Sequence, residues 1–214
     1  ALSLDGTPEV SYYIDGNRPS ANLSVKSTTS AIASAMSTWD DIICSDLGMA
    51  QTPYDGRPTG LVAAAFGFGG SFNYVADVVH SGWMPGNFFD ALAPGGSNFI
   101  LGVAFTIVFL DDAGNLIDSD NNGKYDVAWR EIYYNDNFSW NIGSTYDVET
   151  VALHEAGHGL SQAHFGKAFL SGGNSRLHFS PRAVMNAAYS GVQTSITKTD
   201  NAGHCSNWSQ WPNN

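Results

Sequence analysis

Three of the chain's six histidines and one acid fall in a single short stretch, His154-Glu155-Ala156-Gly157-His158-Gly159-Leu160-Ser161-Gln162-Ala163-His164. Successive residues of an α-helix turn by about 100°, so His154 and His158 lie about 40° apart on one face and roughly 6 Å apart along the axis. Two imidazoles so placed can share one metal ion. Glu155 then reaches the ion's open side, where a carboxylate takes a proton from bound water. His164 is the candidate third ligand, and it constrains the fold most. On a continued helix it would point about 240° away from His158. The chain therefore has to leave the helix just after His158 and turn back under the metal. Gly159 is expected to supply the turn, since glycine enters the left-handed backbone region without steric cost. A bare H-E-x-x-H arises by chance in roughly one in a few hundred chains of this length. The third histidine at the right offset makes coincidence far less frequent.

Charge narrows the partners. Twenty acids against nine bases give a net charge of −11, which argues against nucleic acid and against an anionic membrane, since both need basic patches. It fits a soluble protein that binds calcium or prefers cationic substrates. The longest apolar run, Phe99 to Leu110, is too short to span a bilayer. The opening Ala1-Leu2-Ser3-Leu4-Asp5 has neither an initiator Met nor a basic-then-apolar segment, as expected of a processed, secreted form. Cys44 and Cys205 are the only cysteines. They form either one disulfide closing a very long loop or two buried thiols.

The periodicities predict an α+β fold. Val10–Ile14 reads as a first strand between Pro8 and Asp15-Gly16. Residues 27–43 carry apolar side chains at helical spacing (Ile32, Ala35, Trp39, Ile42), with Ser27 or Thr28 as cap. Leu61 to Phe66 and Tyr74 to His80 are candidate strands, the latter placing His80 at a strand end or surface. Residues 81–97 read as loop, and 99–110 and 127–134 as strongly apolar strands. Asp147 is the expected cap of the histidine-bearing helix, with Glu149 in its first turn complementing the dipole. No repeat or linker divides the chain, so residues 1–214 are expected to form one monomeric domain with two lobes about a cleft.

Between the two apolar strands, Asp118-x-Asp120-x-Asn122-Gly123 places oxygen ligands at alternate positions with a glycine for the sharp turn, and Asp126 can add another oxygen. Calcium loops need that arrangement. The full helix-loop-helix pattern fails, because Trp129 stands where a bidentate Glu would be. A solvated turn-rich hairpin is the plainer alternative.

The histidine segment resembles the metzincin zinc peptidases, whose pattern is H-E-x-x-H-x-x-G-x-x-H followed by a methionine-containing turn. Gly157 and the general layout look most like the matrixin branch. The resemblance implies a mixed, twisted sheet of about five strands with a long packing helix, a zinc helix, a Met turn and a C-terminal helix. It implies zinc on His154, His158 and His164, Glu155 as general base, and Met185, within Ala183-Val184-Met185-Asn186, as a packed floor rather than a ligand. Ser161 departs from the pattern, standing where the family has its turning glycine. A serine in the left-handed region costs roughly 1–2 kcal/mol, so Gly159 is expected to take over part of the turn. Tyr189, four residues beyond Met185, reads as core or cleft wall.

These residues imply a zinc endopeptidase acting on protein or peptide substrates, with an open fourth metal position and Glu155 shuttling the proton. The alternatives are a non-catalytic, metal-stabilised binding module and a zinc hydrolase of non-peptide amides or esters. His178, just ahead of the Met turn, is a cleft or structural histidine. Trp208 and Trp211 read as packing anchors of a last helix beside His204, and residues 168–189 as the wall of the substrate pocket.

Overall fold

The computed structural model describes residues 3–119, 121, 123–173 and 176–212. The five-stranded sheet takes the order β2-β1-β3-β5-β4, built from β1 (Val10–Ile14), β2 (Met49–Gln51), β3 (Val78–Met84), β4 (Gly102–Val108) and β5 (Val127–Asn135). All neighbours are parallel except β4, which runs antiparallel to β5 at the edge. The sheet is thus mixed, as the sequence led us to expect. β1 and β3 are buried along their whole length, as expected of parallel strands covered on both faces.

One face carries two helices, α1 (Val25–Asp40) and α4 (Val148–Gly159). Ile32, Ala35, Met36 and Trp39 of α1 and Val148, Val151, Ala152 and Leu153 of α4 share a core with Val10, Tyr12, Ile14, Val78 and Ile132 of the sheet. Trp39 also donates from its indole nitrogen to the Leu153 carbonyl at 2.9 Å, fixing the two helices in register. The opposite face buries Tyr13, Val79 and Tyr133 beneath α2 (Leu61–Ala65), α3 (Gly86–Leu92) and the loops around them. After α4 come a small antiparallel hairpin, β6 (Lys167–Leu170) and β7 (Leu177–Ser180), and the last helix α5 (Lys198–Trp208).

Several local expectations shift. The first helix starts three residues earlier than its candidate caps, because the Ser24 hydroxyl accepts the Ser27 amide and makes Ser24 the cap. Leu61–Ala65 is a helix rather than a strand: the Glu131 carboxylate accepts the amides of Leu61 and Val62 at 2.7 and 3.0 Å, supplying a cap from the sheet that local sequence cannot reveal. The candidate strand at 74–80 begins only at Val78 and runs on to Met84, through a register shift between His80 and Trp83 where Gly82 adopts a φ of 88°. That irregularity hides the strand's second half from a period-two pattern. His80 is accordingly buried in mid-strand, its Nδ1 2.7 Å from the Tyr134 hydroxyl. The segment expected to be loop also contains α3.

Cys44 and Cys205 are joined by a disulfide that ties the segment after α1 to α5 across 161 positions. Disulfides persist in oxidising compartments. No helix among the described residues is long and apolar enough to cross a membrane.

Candidate metal centre and cleft

Asp147 caps α4 as the sequence predicts, accepting the Thr150 amide at 2.8 Å. Helix α4 therefore presents His154, Glu155 and His158 beneath the start of edge strand β4. The helix does not stop at Gly159. It runs through that residue, with Leu160 as cap, and the chain turns at Ser161, whose φ is +66°. The Ser161 amide donates to the His158 carbonyl at 3.0 Å and the Gln162 amide to the Gly157 carbonyl at 2.9 Å. This pair of bonds is the Schellman motif, with a serine in the left-handed position that glycine usually fills. Gly159 serves packing instead: a Cβ there would lie 3.2 Å from the Val78 side chain.

Two features offset the strain at Ser161. Its hydroxyl accepts a hydrogen bond from the Arg130 guanidinium at 2.7 Å. Its carbonyl and that of Leu160 accept the Asn207 amide and the Trp208 indole at 3.0 and 2.8 Å. Helix α5 thus satisfies carbonyls that the end of α4 leaves open.

The turn brings His164 back to its partners. Its Nε2 lies 3.0 Å from the Nε2 of both His154 and His158. The other ring nitrogens of those two are committed: His154 Nδ1 donates to the Val184 carbonyl at 2.7 Å, His158 Nδ1 to the Gln162 carbonyl at 2.8 Å. A carbonyl can only accept, so both Nδ1 atoms carry the proton and both Nε2 atoms present lone pairs. His164 has one Nε2 proton at most and can meet only one of them. Three nitrogen lone pairs converging in this way call for a cation. A tetrahedral ion bound at about 2.0–2.1 Å would hold its nitrogens roughly 3.3 Å apart, within a few tenths of an ångström of what is seen. Burial pulls the pKa of His154 down to about 4 and lowers those of His158 and His164, so the rings are neutral near pH 7, the form that ligates. Among the described residues this is the one group of three or more potential ligands gathered closely enough to hold an ion.

No protein-family model matches the chain, and no curated protein matches it. The site therefore stands on its geometry.

Glu155 is buried, and burial pushes its carboxyl up to about 8. Among the described residues none donates a hydrogen bond to it. Its side chain lies against Gly102 at the head of β4, where an added Cβ would stand 2.9 Å from Oε1. A bound cation nearby would return such a carboxyl to its ionised form.

Below the histidines, Met185 is fully buried, and a Cβ on Gly157 would come within 2.3 Å of its sulfur. The segment carrying Met185 is held by Asp200, which the sequence did not single out. Its buried carboxylate accepts the amides of Val184 and Met185 at 3.0 and 3.1 Å and also closes the capping box of α5 with Thr197. The T-x-x-D spacing of Thr197 and Asp200 signals the cap; nothing local signals its second duty.

A cleft of about 1000 Å³ opens above the three histidines. One end is apolar, walled by Val151 of α4, Phe138 and Tyr189; the other holds Thr106, Arg130 and Ser161. Tyr189 is thus cleft wall. Among the described residues the far wall comes from 183–193 and not from β6 or β7, so the expected boundary at 168 is too early. His178 lies in that hairpin, stacked on Phe169. His204 is buried against Trp39 with Nε2 3.2 Å from the Ser45 hydroxyl. In the acidic loop, Asp118 accepts the Gly123 amide and Asp126 the Ser119 amide; Asp120 and Asn122 lie outside the described residues.

Proposed function

We propose that this chain is a secreted, zinc-dependent endopeptidase of metzincin type, with His154, His158 and His164 holding the ion and Glu155 as general base. The observation that carries the reading is the convergence of three Nε2 lone pairs beside a buried carboxylate that no donor among the described residues engages. When bound, zinc on three protein ligands supplies an open position and Lewis acidity, lowering the pKa of a water there and polarising a carbonyl. Glu155 then accepts the proton of the attacking water and hands it to the leaving amine. Its buried setting, which raises the carboxyl in the metal-free chain, also suits it to carry that proton between the two steps. Met185 and the carbonyls of Val184 and Gln162 fix the rings, the kind of outer contact that sets tautomer and orientation.

The cleft supports a peptide over other amides and esters, because among the described residues β4 pairs with β5 alone, as an edge strand whose outer side along the cleft can take an extended chain by strand addition. A purely structural site would have no use for an unengaged buried carboxylate, which argues against a non-catalytic module.

The test combines metal analysis with digestion of a denatured proteome. We expect one zinc per chain, cleavage that a chelator abolishes and zinc restores, and a Glu155→Gln variant that keeps the metal but loses turnover by about a thousandfold or more. Full activity in that variant, or no zinc on the purified protein after reconstitution, would overturn the reading.

A further inference from the structure

Among the described residues the cleft lining holds one carboxylate, Glu155, and one guanidinium, Arg130. In a chain with 20 acids and 9 bases, an arginine at such a place would be expected to pair with an acid of its own. It does not. The ion pairs Arg18–Asp15 and Arg57–Asp55 involve other side chains. The charge of Asp77 acts on Arg130 from a distance, but its carboxylate is occupied by the amide and hydroxyl of Ser11 and by the Tyr74 hydroxyl. Arg130 reaches Ser161 with one terminal nitrogen, while its Nε is buried with no hydrogen-bond partner.

A structural role covers only part of this. A cation past the end of α4 complements the helix dipole, and the bond to Ser161 steadies the left-handed turn. Yet the carbonyls of Leu160 and Ser161 are already taken by Trp208 and Asn207, and Arg130 is half-buried in the cleft wall, where one neutral hydroxyl leaves its enclosed Nε without an acceptor. Burial draws its pKa down to about 10, and the Asp77 charge offsets only part of that pull. The missing group is an anion, and the open side from which it can come is the cleft.

Strand geometry says which part of a substrate would carry it. β4 begins at Gly102, over Glu155, and runs to Thr106, which stands opposite Arg130 on β5. A peptide adding antiparallel to β4 travels the other way. It passes Arg130 first, then the histidines, then the apolar end at Val151. At about 3.3 Å per residue, the four steps from Gly102 to Thr106 place Arg130 roughly two to four residues N-terminal to the bond at Glu155.

We propose that Arg130 is a binding site for a substrate carboxylate, selecting Asp or Glu two to four residues before the cleaved bond. The guanidinium fork suits a carboxylate, which it can meet with two parallel hydrogen bonds. The selection also runs against the chain's net charge, which on its own would favour cationic substrates. The proposal rests on the peptidase reading for the direction of the peptide, but anion binding at Arg130 can be measured without turnover.

Two experiments separate the readings. In a denatured-proteome digest by the zinc-loaded chain, acidic residues enriched at those upstream positions support the proposal. Cleavage without enrichment overturns it and leaves the peptidase reading standing. In the second, zinc-loaded Glu155→Gln protein is titrated with peptide pairs differing only by Asp or Asn at each of the three upstream positions. We expect at least tenfold tighter binding of the Asp peptide at one position, weakened by salt and abolished by Arg130→Gln. Equal binding of every pair overturns the proposal, whatever the digest shows. The Asp/Asn comparison needs no change at Arg130, so it holds even if Arg130→Gln folds poorly. Arg130→Lys, which keeps the charge but loses the fork, should retain part of the preference.

Discussion

Gly157 and Met185 are in mutual contact at a distance that no other residue type at 157 could preserve: a Cβ on Gly157 would meet the Met185 sulfur at 2.3 Å and the Trp39 ring at 3.0 Å. The glycine between the two helix histidines is therefore a packing residue, and it sets how closely α4 rests on the segment that orients His154. Gly157→Ala should cost about 1–3 kcal/mol through overpacking and weaken zinc binding, because relief comes by moving Met185 and the neighbouring Val184 carbonyl. Met185→Leu, close in volume, should cost less than about 1.5 kcal/mol. Urea unfolding and zinc titration of both variants check this, and equal behaviour of the two would refute it.

Ser161 separates strain from hydrogen bonding. Both Ser161→Ala and Ser161→Gly lose the hydroxyl that Arg130 engages, but only glycine escapes the steric cost of φ +66°. We expect the alanine variant to be less stable than the glycine variant by about 1 kcal/mol. Thermal melts of the metal-free proteins would show it, and the reverse order would mean that the turn relaxes away from the left-handed region.

Removing the Cys44–Cys205 bridge should be costly. It spans 161 positions, and long closed loops constrain the unfolded chain most. Cys44→Ser/Cys205→Ser should lose about 3–5 kcal/mol, measured by denaturant unfolding against the oxidised parent.

Acid should expose two opposing titrations in the metal-free protein. Burial takes His80 down to about 3 and His204 down to about 4. Their unfolded forms bind protons first, so their contribution is full above about pH 6.5 and drains away as pH falls towards those values, at about 1.4 kcal/mol per pH unit for each histidine. Glu155, pushed up to about 8, works the other way: its contribution is present below its unfolded pKa of about 4.5 and is lost as pH rises to about 8. Glu155→Gln removes that opposing slope. The variant should therefore lose stability between pH 7 and pH 5 more steeply than its parent, by about 1.4 kcal/mol per pH unit. Parallel slopes would count against a buried neutral Glu155.

The helix of the candidate site was legible because its signals are local. Asp147 as cap, Glu149 in the first turn and the four-residue spacing of His154 and His158 all lie on one helix, and the structure has them so. The turn was misassigned because glycine is the usual left-handed residue, and the sequence offers one at 159. What moved the turn to Ser161 is tertiary: Gly159 is pressed against Val78, and Arg130, 31 positions away, meets the serine hydroxyl. A longer separation, 70 positions from Leu61, hides the Glu131 cap of α2, and the register shift between His80 and Trp83 hides the second half of β3. Parallel strands of three to seven residues, such as β2 and β3, announce themselves poorly when their partners are far along the chain.

Asp200 caps the last helix and, with the same carboxylate, holds the amides of Val184 and Met185. The consequence concerns biosynthesis. The histidines on α4 are made before α5, but the carbonyl that orients His154 and the methionine beneath the rings find their positions only once α5 has left the ribosome. On the peptidase reading, a nascent chain carries the ligands of its cutting chemistry without the frame that aligns them, and so is kept from attacking its own unfolded length until synthesis has passed that helix.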